Sequence, residues 1–114
     1  MIIHKEIPIF LQLAEVIKGR IIGGELHHDD KIPSVRELAA EFEINNNTAM
    51  HTIDTLAKQD IIYQKRGMGY FVSENAKQII EEQRHQRFNE EILPTLKKAM
   101  SQLGITKEEL LKML

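Results

Sequence analysis

A proline directly ahead of a capping box, Pro33-Ser34-Val35-Arg36-Glu37, fixes one helix start more tightly than any other signal in this chain. Serine is a strong N-cap because its side-chain oxygen accepts a hydrogen bond from an otherwise orphaned amide. A glutamate three residues later offers its carboxylate to the cap's own N–H. Leu38, Ala39 and Phe42 then fall on the buried side of a short helix. Glu43-Ile44-Asn45 reads as a tight turn, after which Asn45 or Asn47 caps a further helix. Its inward positions are Ala49, Ile53 and Leu56, helped by Met50 or Ala57.

The flanking segments complete a pattern. Pro8 suits the first position of a helix, where its missing N–H costs nothing. Phe10, Leu13, Val16, Ile17 and Ile21 recur at helical spacing until Gly23-Gly24 stops the run. His27-His28-Asp29-Asp30 is a polar connection. Beyond the third helix, Ile61-Ile62-Tyr63-Gln64 and Tyr70-Phe71-Val72 are β-prone runs joined by Lys65-Arg66-Gly67-Met68-Gly69, which predicts a hairpin. Helix, helix, turn, helix, hairpin is the order of a winged helix-turn-helix.

After Ser73 the chain becomes charged and helical. Ile79, Ile80, Phe88, Ile92, Leu96, Ala99, Met100 and Leu103 make an apolar stripe, interrupted at Pro94, which should bend the helix in its preceding turn. Gly104 ends that helix. Thr106 and Glu109 form a second capping box for a last helix carrying Leu110, Leu111, Met113 and Leu114. A helix this long cannot bury its stripe against so small a domain, so a second copy is the expected partner. The expected fold is mainly α with a small β-hairpin: a winged helix-turn-helix over residues 1–73 and a two-helix dimerisation extension over residues 74–114. Ile80, Phe88, Ile92, Leu96, Met100, Leu103, Leu110, Leu111 and Leu114 are its candidate contacts.

Composition narrows function chiefly by exclusion. The chain has no cysteine, which removes disulfides, thiolate catalysis and Cys-based metal sites together. That fits a cytoplasmic protein. The N-terminus has no basic region followed by an apolar run, so no leader is expected, and no apolar run approaches a membrane span. The five histidines do not invite a metal, because the adjacent ligand-type residues at 27–30 do not converge easily on one ion. No catalytic dyad or phosphate-binding glycine loop is present, so neither an enzyme nor a cofactor is expected. Net charge is -2, with eight Lys and Arg against ten acids in residues 1–72. Bulk charge therefore gives no support for nucleic-acid binding, and a local patch must supply it.

Five blocks follow in a recognisable order and spacing. They are Pro8-Ile9-Phe10-Leu11-Gln12-Leu13, Gly24-Glu25-Leu26, residues 31–39, Asn45-Asn46-Asn47-Thr48 and residues 66–72. Together they resemble the GntR family of bacterial transcription regulators, and the short two-helix tail resembles its YtrA-like subfamily. The resemblance implies a homodimer held by the tail helices and a repressor role, often over transporter genes. It directs double-stranded DNA, at a near-palindromic operator, to residues that also suit it physically. Lys31, Ser34 and Arg36 stand at or beside a helix N-terminus, a natural seat for phosphate. Asn45, Asn46, Asn47, Thr48 and His51 lie at the N-terminal end of the helix expected in the major groove. Lys65, Arg66, Gly67 and Gly69 form a wing tip suited to the minor groove. A small-molecule effector, where one acts, would need a pocket at the dimer interface, since the tail alone encloses none.

Two departures from the family pattern stand out. Relatives usually carry an arginine or lysine early in the recognition helix, where this chain has Asn46, Met50 and His51. Asp29 and Asp60 occupy turn positions usually held by glycine; aspartate tolerates left-handed backbone better than most residues. The cation-poor helix and negative charge also fit an alternative: a winged-helix adaptor or antirepressor that has lost DNA binding. Arginine reads guanine by a bidentate contact, whereas asparagine pairs with adenine. Selection from a random duplex pool is therefore expected to enrich A·T pairs, rather than guanine, opposite the first turn of the third helix.

Overall fold

In the computed structural model, which describes residues 6–114, local signals set the helix boundaries. Residues 1–5, including His4 and most of the segment expected to carry no leader, lie outside the described residues. The order is α1 (Ile9–Ile22), α2 (Val35–Phe42), α3 (Asn46–Lys58), β1 (Ile62–Lys65), β2 (Gly69–Val72), α4 (Ala76–Arg87), a π-helical turn (Phe88–Ile92), α5 (Leu93–Leu103) and α6 (Lys107–Met113). Pro8 is the N-cap of α1 rather than its first helical residue. Ser34 and Thr106 form the two expected capping boxes, and Asn45 caps α3.

The chain divides into two compact units between Ile80 and Glu81. In the first, α1 packs on α3 and α2 on α3, over an aliphatic core of Ile17, Ile32, Leu38, Ile53, Leu56, Ile61, Ile62 and Val72, with Leu13 also fully buried. Without tryptophan, a core this small gathers apolar groups from every element. That includes the first turns of α4: Ala76 and Ile80 are both buried in it. The boundary expected at residue 73 thus falls ahead of two core residues of the first unit. Ile80 has no exposed surface to offer a partner.

β1 and β2 pair antiparallel, with Ile62 opposite Val72 and Lys65 opposite Gly69. A short segment before α2 extends this hairpin. Lys31 bridges Phe71, the Ile32 amide donates to the Tyr70 carbonyl at 2.9 Å, and the Val72 amide donates to the Asp30 carbonyl at 2.9 Å. The base of the wing is thereby tied to the residues that launch α2.

In the second unit, Pro94 acts as expected of an interrupted helix, through a π-helical turn. Proline cannot donate its i→i−4 bond and crowds the carbonyl four residues back. The Leu93 amide reaches the Phe88 carbonyl five residues back, and the Thr95 hydroxyl donates to the Glu91 carbonyl at 2.7 Å. Gly104 closes α5 in the left-handed conformation, φ 68°. Phe88, Ile92, Leu96, Leu103, Leu111 and Leu114 are exposed, whereas Met100 and Leu110 are half-buried. No helix among the described residues is long and apolar enough to cross a membrane.

Among the described residues, three other than glycine hold positive φ: Asp29 (67°), Glu43 (53°) and Asp60 (62°). The two aspartates are those the sequence places at glycine-like turns. Glu43 closes α2, and its Cβ makes left-handed backbone unfavourable by about 1–2 kcal/mol. Glu43→Gly is therefore expected to stabilise the protein by about 1 kcal/mol, offset in part by a more flexible unfolded chain. Urea unfolding followed by circular dichroism measures it.

Candidate nucleic-acid interface

The N-terminus of α2 is built as the sequence predicts. The Ser34 hydroxyl oxygen accepts from the Glu37 amide at 3.1 Å, and the Ser34 amide donates to the Glu37 carboxylate at 3.0 Å. These bonds hold the Glu37 carboxyl below its ordinary range, the backbone amide of Ser34 contributing most and Lys31 adding attraction. The amides of Val35 and Arg36 have no intrahelical acceptor, because first-turn amides never do. They stand at the helix tip beside the exposed Arg36 and Lys31 side chains. The Ser34 hydroxyl also interacts with the Glu37 carboxylate, so both polar groups of the serine are held within the capping box.

On α3, the expected DNA-facing residues divide by role. The Asn45 side-chain oxygen accepts from the Thr48 amide at 2.8 Å, so half of its amide group is committed to the cap. Asn46 and Asn47 are exposed on the first turn, and Thr48 is half-buried. The His51 ring lies flat on Phe10 of α1, with centroids 3.5 Å apart and planes within 13°. Its faces are thus occupied on one side while its edge stays exposed. Thr52, which sequence periodicity passes over, is fully buried. Its hydroxyl lies 3.2 Å from the Phe10 carbonyl and 3.0 Å from the Thr48 carbonyl, which anchors the helix's first turns to α1.

The wing turns at Gly67 (φ 76°) and Gly69 (φ 107°). A side chain at Gly69 would also crowd Lys31, whose Cε lies 3.0 Å from the position a Cβ would take. Lys31 therefore crosses the wing at that glycine. The Lys65 ammonium is folded back over Phe71, 4.4 Å from the ring centroid, and lies 5.9 Å from that of Tyr63. Arg66 is exposed at the tip, as is Met68. Behind the wing, the Tyr63 hydroxyl donates to the Asp29 carboxylate at 2.5 Å. That bond lowers the Asp29 pKa and raises that of Tyr63.

Met50, offered by the sequence either as a core helper beside Ala57 or as a groove-facing position, is exposed while Ala57 packs against the core. Met68 on the wing, not among the expected contacts, is exposed too. Helical spacing from Asn46 was the signal available for Met50. Arg20, by contrast, is taken up structurally. It makes a two-pronged contact with Glu41 at 2.8 and 3.0 Å and lies over Phe42, joining α1 to α2.

Residues 10–72 match the family profile described as bacterial regulatory proteins, gntR family. The chain is 39% identical over 105 residues to the HTH-type transcriptional regulator YhcF of Bacillus subtilis (strain 168), covering 92% of this chain and 85% of that one. It is 40% identical over 70 residues to the HTH-type transcriptional repressor YtrA of the same organism, covering 61% of this chain and 54% of YtrA. Among solved structures, a GntR-family regulator from Bacteroides thetaiotaomicron superposes with a TM-score of 0.78 at 38% identity. That match covers 92% of this chain and 91% of the other. AraR(DBD), crystallised with operator ORX1, matches 59% of this chain and 81% of its own length, with a TM-score of 0.56 and 33% identity.

The Glu37 pKa is depressed in the folded protein, so its contribution to stability is complete above the unfolded value and is lost as pH falls through the folded one. The thermal midpoint of the wild type is expected to exceed that of Glu37→Gln at about pH 6, and the gap to close by about pH 2. A scan of unfolding temperature against pH for both proteins checks this.

Proposed function

The chain belongs to the gntR family of bacterial regulatory proteins, and from that premise we propose that it is a homodimeric repressor that binds a near-palindromic operator. The observation that carries this reading is the pairing, within one winged-helix unit, of two exposed helix N-termini with a glycine wing crossed by Lys31. The family is one of regulators, not enzymes. The likeness to AraR(DBD), itself crystallised on operator DNA, supports a duplex as the ligand. The likeness to YtrA, named a repressor, supports the direction of control.

In this mechanism α3 enters the major groove by its capped end. Asn46 and Asn47 face base edges, Asn being suited to adenine N6 and N7. The α2 tip clamps a phosphate through its Val35 and Arg36 amides and the Arg36 guanidinium. The wing lies along the minor groove with Arg66 at its tip, while Lys31 at Gly69 guards the phosphates beside it. Asn45 serves chiefly as a cap. His51, held flat by Phe10, offers its ring edge.

Two copies pair through residues 81–114. Phe88, Ile92, Leu96, Leu103, Leu111 and Leu114 expose apolar surface that a second chain would cover, with Met100 and Leu110 at its margin. Ile80 has no part in that contact. Pairing would set the two recognition helices about 34–36 Å apart, or at a whole multiple of a DNA turn. A dimer on a promoter obstructs polymerase.

The cations in position are Lys31, Arg36, Lys65 and Arg66, all exposed, Lys65 lying also over Phe71. Roughly three of them engaged per chain would neutralise about six phosphates in a dimer, giving a log–log salt slope of about -5. Arg36→Ala is expected to move that slope to about -4 and to weaken selected and unselected duplexes alike. Fluorescence anisotropy across a salt series measures both. A wild type that binds no duplex at low salt would instead favour the adaptor reading, to which the cation-poor first turn of α3 lends support.

A further inference from the structure

Methionine at position 50 is an anomaly on α3. The inner side of the helix is apolar and buried at Ala49, Ile53 and Leu56. The outer side is polar at Asn46, Asn47, His51, Asp54 and Lys58, all exposed. Met50 belongs to that outer side: 42% of its surface is open. Helical spacing sets it one turn beyond Asn46 and Asn47, on the same strip. Asp54 follows one turn later and, as an anion, marks where that strip stops suiting a phosphate-lined groove.

A lone apolar side chain between polar neighbours does not make a protein-docking patch, which needs contiguous apolar surface. It does match the one apolar group that base pairs present in the major groove, the 5-methyl of thymine. Methionine is unbranched and polarizable, so it can settle against a methyl edge without a fixed hydrogen-bond geometry. Its place one turn past the asparagines directs it to a base pair next to those they address.

We propose that Met50 is a specificity-determining residue that reads a thymine methyl group in the major groove. The inference rests on the DNA-binding function proposed above and adds to it the chemistry of one further base position. The asparagines recognise adenine by hydrogen bonds, and Met50 selects thymine over cytosine by contact with a group that cytosine lacks.

The test separates the two claims. Full-length wild type first selects a duplex from a random pool. Each thymine of that duplex is then replaced in turn by deoxyuridine, which removes the methyl and keeps the base pairing. At one thymine per half-site, the wild type is expected to lose about fourfold in affinity, the value of one buried methyl-sized group. Met50→Ala is expected to bind the thymine and uracil duplexes equally there. Met50→Leu, which keeps an apolar tip, and Asn47→Ala, which leaves Met50 in place, are expected to retain the uracil penalty. If no thymine shows a penalty, or if Met50→Ala shows the same penalty as wild type, the Met50 assignment is wrong while the regulator reading stands. If the wild type selects no duplex at all, both fall.

Discussion

The packing of α3 against α1 is the contact from which the rest of the first unit takes its bearings. Ala49, Ile53 and Leu56 are buried on one side of α3, and Leu13 and Ile17 are buried on α1. Thr52 adds a polar tie to the Phe10 carbonyl inside an otherwise aliphatic region. A hydroxyl buried this completely needs its acceptors, and it has two. The result is a helix whose roll about its own axis is settled. Once the inner side is determined, Asn46, Asn47 and Met50 have only one direction in which to point. His51, stacked on Phe10, reports the same constraint from the helix edge.

Around that helix, the chain accepts backbone strain where the turns must be tight. Glu43 and Asp60 bracket α3 in left-handed conformation, and Asp29 does so before α2. At Asp29 the cost is met locally by the Tyr63 hydroxyl. The same hydrogen bond ties the loop before α2 to the first strand of the wing. With the Lys31 bridge to Phe71, it makes the α2 tip and the wing parts of one construction.

Charge is distributed with equal economy. The unit is net acidic, and part of its cationic charge is engaged by groups of the same chain. Arg20 engages Glu41, the nearly buried Lys18 engages Glu15 at 3.2 Å, and Lys65 lies over Phe71. Lys31, Arg36, Lys65 and Arg66 are what the surface presents near the helix tip and wing. A duplex held by so few cations would depend less steeply on ionic strength than one held by many, and would draw its selectivity from uncharged groups. Asparagine and methionine on the outer strip of α3 are residues of that kind.

Much of this was legible in the residues themselves. The capping boxes at Ser34 and Thr106, the glycine-like turns at Asp29 and Asp60, the hairpin and the interruption at Pro94 all follow from local chemistry. A cap, a left-handed turn or a missing N–H acts within a few residues of itself, so the sequence displays it directly. What the tertiary structure decided concerns groups far apart in the chain. Thr52 meets Phe10, Lys65 folds over Phe71, Lys31 crosses Gly69, and Ile80 enters the core of the first unit instead of joining the tail's apolar stripe. Periodicity shows that Ile80 must be buried and that Lys65 is charged. It does not show against what, because the partner is chosen by how the elements pack, and only packing tells a side chain spent inside the fold from one left to face a ligand.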